Sequence, residues 1–191
     1  MATNHFLHPQ FLIYRHFLGL ALAQELQASL LSLASRYPSV ETNNHSGRSY
    51  FENKWLSAKN LHQSKDPAIH LLASKTLLLA TTYALLLSSK RLTLAYQSCW
   101  GMISHHGLAG APHNHSGAIS GVSYLDAGDS GHADAGGRLI MHSPGTSEQE
   151  AIVPHTGDLI LFPSTQVHSV ERYTSDTPRM VISFNLKDTT D

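Results

Sequence analysis

The stretch Arg179-Met180-Val181-Ile182-Ser183-Phe184-Asn185-Leu186 decides the fold. Met180, Ile182, Phe184 and Leu186 alternate with Arg179, Val181, Ser183 and Asn185. Successive side chains of a strand point to opposite faces, so this run predicts one wholly apolar face and one mixed face. The apolar face is expected under helices and the mixed face inside a lined cavity. Working back towards residue 91, short β-like runs at 92–103, 119–125, 138–142, 151–153, 158–162 and 166–171 are separated by clusters of Gly, Pro, Asp and Ser. Their spacing suits a double-sheet jelly roll.

Before residue 91 the chain changes character. The segments 9–36 and 67–88 are rich in Leu and Ala, with apolar residues three and four apart, and predict two helices. Asp66 followed by Pro67 supplies the N-cap and first position of the second. Between them, 37–65 is a long polar connection with room for one short helix, carrying Trp55-Leu56 as an anchor on the core. The expected organisation is a single domain, 1–191, with a helical N-terminal support region over 1–90 and a β core over 91–191. The chain has 191 residues, enough to bury a core without disulfides or a structural metal.

Composition excludes several classes. Lys+Arg 13 against Asp+Glu 14 gives a net charge of −1, and charged residues make up only 14%. A disordered tail or a nucleic-acid groove needs a sustained charge excess, so neither is expected. The uncharged run 76–89 is shorter than the roughly 20 residues of a spanning helix and reads as a core helix. Ala21-Leu22-Ala23 mimics a signal-peptidase site, but the apolar pattern continues through Leu26, Leu30 and Leu33 as an amphipathic helix would. The lone Cys99, beside Trp100 in an apolar run, is expected to be buried and fits a reducing compartment, so a cytoplasmic location is expected. The expected partner is a small-molecule or peptide substrate, with no nucleic acid and no membrane, and self-association is compatible with the composition.

The 14 histidines equal the whole acidic complement. Most are expected to be structural or exposed: His5, His8, His16, His45, His62 and His70 carry no pattern, His105 and His106 are adjacent and cannot both face inward, and nothing selects among His132, His142 and His155. His113-Asn114-His115 is different, because residues i and i+2 of an extended strand share a face and two imidazoles there can grip one ion. A third ligand is offered by His168, in Gly157-Asp158-Leu159-Ile160-Leu161-Phe162-Pro163-Ser164-Thr165-Gln166-Val167-His168, where a Gly-led strand and a Pro turn can deliver a side chain across a small barrel. Eleven residues on, Arg179 opens the last strand on its cavity side, where a guanidinium can hold a carboxylate bidentately. Trp55 and Trp100 read as core aromatics.

These residues carry a resemblance. The stretch 113–125, with His-Asn-His followed by Ser120-Gly121-Val122-Ser123-Tyr124-Leu125, then Gly157 to His168, then Arg179 to Asn185, resembles the 2-oxoglutarate/Fe(II)-dependent oxygenase superfamily. It is most similar to a bacterial and phage branch with the pattern H-x-H, SGVxYL, GDLILFPS, H, R, SFN. The resemblance implies a double-stranded β-helix, cupin-like, packed against two or three helices. It implies Fe(II) as cofactor and 2-oxoglutarate as cosubstrate, decarboxylated to succinate and CO₂ as a bound substrate is oxidised, most simply by hydroxylation. His113 and His168 match imidazole ligands, and His115 stands where most of the superfamily has Asp or Glu. Arg179 matches the partner of the distal carboxylate of 2-oxoglutarate, with Tyr124 and Ser183 as further hydrogen-bonding candidates. A neutral imidazole in place of a carboxylate neither lowers the charge of the site nor adds a hard oxygen, so Zn or Ni suits this donor set as well as Fe. Asp126 and Asp129 follow the strand in a Gly-rich loop, where acids are mostly solvated.

Two rival readings share the barrel. A cupin-type enzyme with three histidines usually carries a Glu shortly after the H-x-H, where Ile119 and Ser120 stand here, and has no need of Arg179. A non-catalytic metal-binding barrel would form no succinate.

Overall fold

The computed structural model describes residues 5–8, 11–40, 54–88, 91–132 and 135–190, with the side chains of 5–8 left aside. The elements run β1 (His5–His8), β2 (Phe11–Tyr14), α1 (Gly19–Arg36), β3 (Lys54–Leu56), a short 3-10 turn (Leu61–Gln63), α2 (Pro67–Ser88), β4 (Leu94–Ser104), β5 (Gly110–His113), β6 (Ile119–Asp126), β7 (Leu139–His142), β8 (Gln149–Ile152), β9 (Leu159–Pro163), β10 (His168–Val170) and β11 (Arg179–Asp188). They form a seven-stranded sheet in the order β1-β2-β9-β6-β11-β4-β3 and a four-stranded sheet in the order β5-β10-β7-β8. Every pair of these strands among the described residues is antiparallel. This is the jelly roll that the strand spacing predicts.

The alternation along β11 sorts the interior as expected. Met180, Ile182, Phe184 and Leu186 join Leu26, Leu30, Leu72, Ala80 and Tyr83 in a core between the large sheet and the helices. Val181 joins Tyr124, Met141, Ile160 and Phe162 in a second core between the two sheets. Each fully buried apolar side chain contributes about 1.5–3 kcal/mol, so one strand with two chemistries holds three layers together. Helix α2 begins where the sequence predicts: Asp66 Oδ1 accepts from the amides of Ala68 at 2.9 Å and Ile69 at 3.2 Å, a cap worth about 1 kcal/mol.

The helix expected over 9–36 starts only at Gly19. Phe11–Tyr14 is instead a strand, pairing with β9 through Leu12↔Leu161 and Ile13↔Ile160. Leu12 faces the helical core, whereas Phe11 and Ile13 face the core between the sheets. A run buried on both faces carries no polar alternation, and its leucines blend into the helical periodicity that follows. The region before residue 91 therefore also adds strands to the large sheet. His45 and the rest of 41–53 lie outside the described residues.

Candidate metal centre

The site forms where β5 and β10 meet at the edge of the small sheet. His113 and His168 are directly opposite each other in that pair. His115 lies just beyond the end of β5, and its amide donates to Ser164 O at 2.8 Å. Gly117 in the same loop adopts φ +120°, and a Cβ there would lie 2.7 Å from Leu186 O, so only glycine lets the loop close on β11. The ligating atoms of His113, His115 and His168 all lie within 4.8 Å of one another. Their ring centroids are 4.9 Å (113–115), 4.4 Å (113–168) and 5.1 Å (115–168) apart.

The imidazoles are held in a defined state. His113 Nδ1 lies 2.8 Å from Ala111 O and His168 Nδ1 lies 3.0 Å from Gln166 O. A carbonyl oxygen only accepts, so each Nδ1 carries the proton and each Nε2 keeps its lone pair. Gln166 is fixed in turn, its Nε2 donating to His142 O and Val167 O at 2.8 Å each. Burial pushes His168 down to about 4, with His113, His115 and His142 adding to the effect against an opposing hydrogen bond to Gln166. Burial likewise pushes His115 down to about 4, followed by the fields of His113 and Lys59. Both are neutral bases at physiological pH, the form that binds a metal.

Beside His115 the cavity wall is polar and satisfied. Ser164 Oγ and Ser120 Oγ are 2.8 Å apart, Ser120 Oγ donates to Asn185 Oδ1 at 2.8 Å, and Asn185 Nδ2 donates to Ser98 Oγ at 3.0 Å. This chain ties β4, β6 and β11 to the backbone that carries His115. Trp100 was expected in the core, but Cys99 and Ile103 take that face of β4 and turn Trp100 towards the cavity. Its ring meets His115 edge-on, at 6.5 Å and 66°. Trp55 does pack on the helical core and donates its Nε1 to Tyr37 O at 3.0 Å.

Arg179 opens β11 on the cavity side and is 3% exposed. Its guanidinium lies 5.6 Å from the ring centroids of both Tyr124 and Tyr173. A Cβ on Gly137, where φ is +76°, would sit 3.2 Å from Arg179 Nη1, so a bare glycine lets the chain pass over the cation. Arg179 Nε is buried without a partner. No carboxylate among the described residues pairs with this arginine. Burial raises the pKa of the Tyr124 hydroxyl, and the neighbouring Arg179 opposes the rise. Ser183 lies four residues further along β11, opposite Trp100. At about 3.3 Å per residue that is roughly 13 Å from Arg179, at the histidine end of the cavity. The structure thus brings Tyr124, and not Ser183, to Arg179.

The remaining candidates fall elsewhere. Asp126 Oδ1 accepts from the Gly128 amide at 2.9 Å, and Asp129 Oδ2 accepts from Thr177 Oγ1 at 2.8 Å and from Ser175, so both acids serve the loop. His62 stacks on Tyr96 at 4.8 Å, His142 contacts Ser169 Oγ at 2.8 Å, and His105, His106 and His132 are exposed. Cys99 is 3% exposed, and burial pushes its thiol up to about 12.

The residues present fit a divalent metal and a dianionic cosubstrate. Three imidazoles converge, and a buried cation stands without a counter-charge among the described residues further along the inner face of the barrel.

Comparison with known proteins agrees. The jelly roll is shared with a prolyl hydroxylase from Trichoplax adhaerens solved with a hypoxia inducible factor peptide fragment, at TM-score 0.74 and 19% identity over 94% of this chain and 83% of that one. A Pseudomonas putida prolyl-4-hydroxylase matches at TM-score 0.67 and 20% identity over 92% and 91%. HygX from Streptomyces hygroscopicus, with nickel and 2-oxoglutarate bound, matches at 0.71 and 13% over 94% and 83%. No curated protein sequence is significantly similar to the chain. The barrel of this chain resembles that of the 2-oxoglutarate/Fe(II)-dependent oxygenases. More narrowly, residues 98–185 match the family described as "Putative 2OG-Fe(II) oxygenase".

Proposed function

We propose that this chain is a hydroxylase-type oxygenase in which His113, His115 and His168 hold Fe(II) and Arg179 receives the distal carboxylate of 2-oxoglutarate. The observation that carries the reading is Arg179: a cation 3% exposed and without an acidic partner among the described residues. Burying an unpaired charge costs several kcal/mol, and an incoming carboxylate offsets that cost. Tyr124 and Tyr173 hold the guanidinium in place and keep water from it. The Nδ1–H groups of His113 and His168 point their Nε2 atoms towards a common centre, and Trp100 borders that centre as a wall for the substrate. When bound, Fe(II) would let dioxygen, the oxidant, react with 2-oxoglutarate and substrate together: one oxygen atom would end in succinate as CO₂ leaves, and the other in the hydroxylated substrate. A cupin-type reading gives the buried Arg179 no task.

Anaerobic titration tests the assignment. Protein loaded with Fe(II) is expected to develop a weak visible charge-transfer band when 2-oxoglutarate is added. His168→Ala is expected to lose at least tenfold in metal affinity by elemental analysis. Full retention of metal by His113→Ala and His168→Ala alike would remove these histidines as ligands.

A further inference from the structure

Helix α2 carries a second pattern on the side turned away from the sheets. Ala68, Ile69, Leu72, Thr76, Ala80, Tyr83 and Ala84 are buried against the rest of the fold. The opposite face exposes Leu71, Ser74, Leu78, Thr82 and Leu85. At about 100° per residue these five fall within an arc of roughly 80°. Leu71 is 48% exposed, Leu78 73% and Leu85 45%. No charge lies on the stripe, and the nearby Lys75 is folded over the Phe17 ring, its Nζ 5.1 Å from the centroid.

The stripe reads the same in both directions. Ser74 and Thr82 lie four residues before and after Leu78, and Leu71 and Leu85 lie seven before and after it. A two-fold axis through Leu78 in an antiparallel pairing sets Leu78 on its own copy, each Leu71 on the partner's Leu85, and each Ser74 on the partner's Thr82. An isologous interface needs such self-complementarity. Leucines seven apart supply a coiled-coil seam, and the small hydroxyl residues between them let the backbones approach. Those hydroxyls are already satisfied: Ser74 Oγ donates to His70 O at 3.0 Å and Thr82 Oγ1 to Leu78 O at 3.2 Å, so covering them leaves no orphaned donor.

We infer that α2 is the interface of an antiparallel homodimer with its two-fold axis at Leu78. Leu71 to Leu85 spans about 21 Å of helix. One helix pair of that length buries less than the roughly 1,000 Å² of a stable interface, so the dimer is a weak one that dissociates in the micromolar range. The helix packs on the outer face of the large sheet, and the histidine cavity opens on the inner one, so pairing leaves both sites accessible.

Sedimentation equilibrium of the full chain is expected to show a reversible monomer–dimer equilibrium, with Leu78→Lys raising the dissociation constant at least tenfold. Circular dichroism and the Fe(II)/2-oxoglutarate band are expected to stay unchanged in that variant. Single cysteines read the geometry directly, since Cys99 is buried and its thiol silent. Leu78→Cys is expected to crosslink to itself under mild oxidation and Leu71→Cys is not, while a mixture of Leu71→Cys and Leu85→Cys gives the mixed dimer. A chain that stays monomeric at high micromolar concentration overturns the proposal. So does Leu71→Cys crosslinking as readily as Leu78→Cys, which marks a parallel pair. The helix is long and apolar enough, by length and composition, to cross a membrane. Flotation of monomeric protein with phosphatidylcholine vesicles, lost in Leu78→Lys, would assign the face to lipid instead.

Discussion

Arg15 and Arg179 are both turned into the protein, but only Arg15 meets a carboxylate. Its Nη1 contacts Asp158, which is fully buried, and donates to Val153 O at 3.0 Å. Asp158 also accepts from the backbone amides of His155 at 2.8 Å and His16 at 3.3 Å. That cluster locks β2 and the turn into α1 against β9, and its charges cancel inside the fold. Arg179 is more deeply buried, yet it is faced by two phenol rings and no acid among the described residues. A charge neutralised internally serves stability; a charge left open serves a ligand.

The largest effect that would break this contrast is on the fold. Arg15→Met strands the Asp158 carboxylate and is expected to cost about 3 kcal/mol in chemical denaturation. Arg179→Met is expected to do the opposite, leaving stability equal or raised because it removes an uncompensated buried charge. Its loss appears instead in 2-oxoglutarate affinity, which should fall by about 2–3 kcal/mol, or thirtyfold or more, by calorimetry on the metal-loaded protein, with metal content unchanged. A strongly destabilised Arg179→Met variant would show that this arginine, too, is structural.

Acid sharpens the contrast at the other end of the cavity. His115 and His168 sit at about 4 in the fold against an ordinary value of 6.5. The unfolded chain therefore takes up protons first as pH falls. Their stabilising contribution is complete above 6.5 and is lost progressively from 6.5 to about 4. The Tm of metal-free protein should fall across that window, and His168→Asn should flatten the decline. The smallest effect belongs to Tyr173, whose hydroxyl donates to Thr177 O at 2.6 Å and accepts from the Asp129 amide at 3.0 Å. Tyr173→Phe keeps the ring and should change 2-oxoglutarate affinity by no more than about 1 kcal/mol, whereas Tyr173→Ala also removes the cation–π contact and should cost more.

The sequence made the C-terminal half legible because β11 alternates without exception, and strand parity alone placed Arg179 in the cavity. His113 and His168 were legible through spacing and turn chemistry. The support around them was not. Tyr173 stands in a loop with no periodicity; Ser120 and Asn185 look like ordinary polar strand residues, and Ser164 like a turn serine, until the fold brings them together. Trp100 was misplaced because a buried neighbour on each side hides which face a residue takes. β2 was absorbed into a helix because a strand covered on both faces has no alternation to read.

The register of β5 against β10 has a mechanical side. β5 is a four-residue edge strand paired, among the described residues, with β10 alone, and its ladder is interrupted between His168 and Val170. An ion shared by His113 and His168 is a clasp across that weak seam. Occupancy of the site and order of the strand's edge would then be one equilibrium, and slowed amide exchange at Gly110, Ala111 and His113 would count bound metal without any turnover.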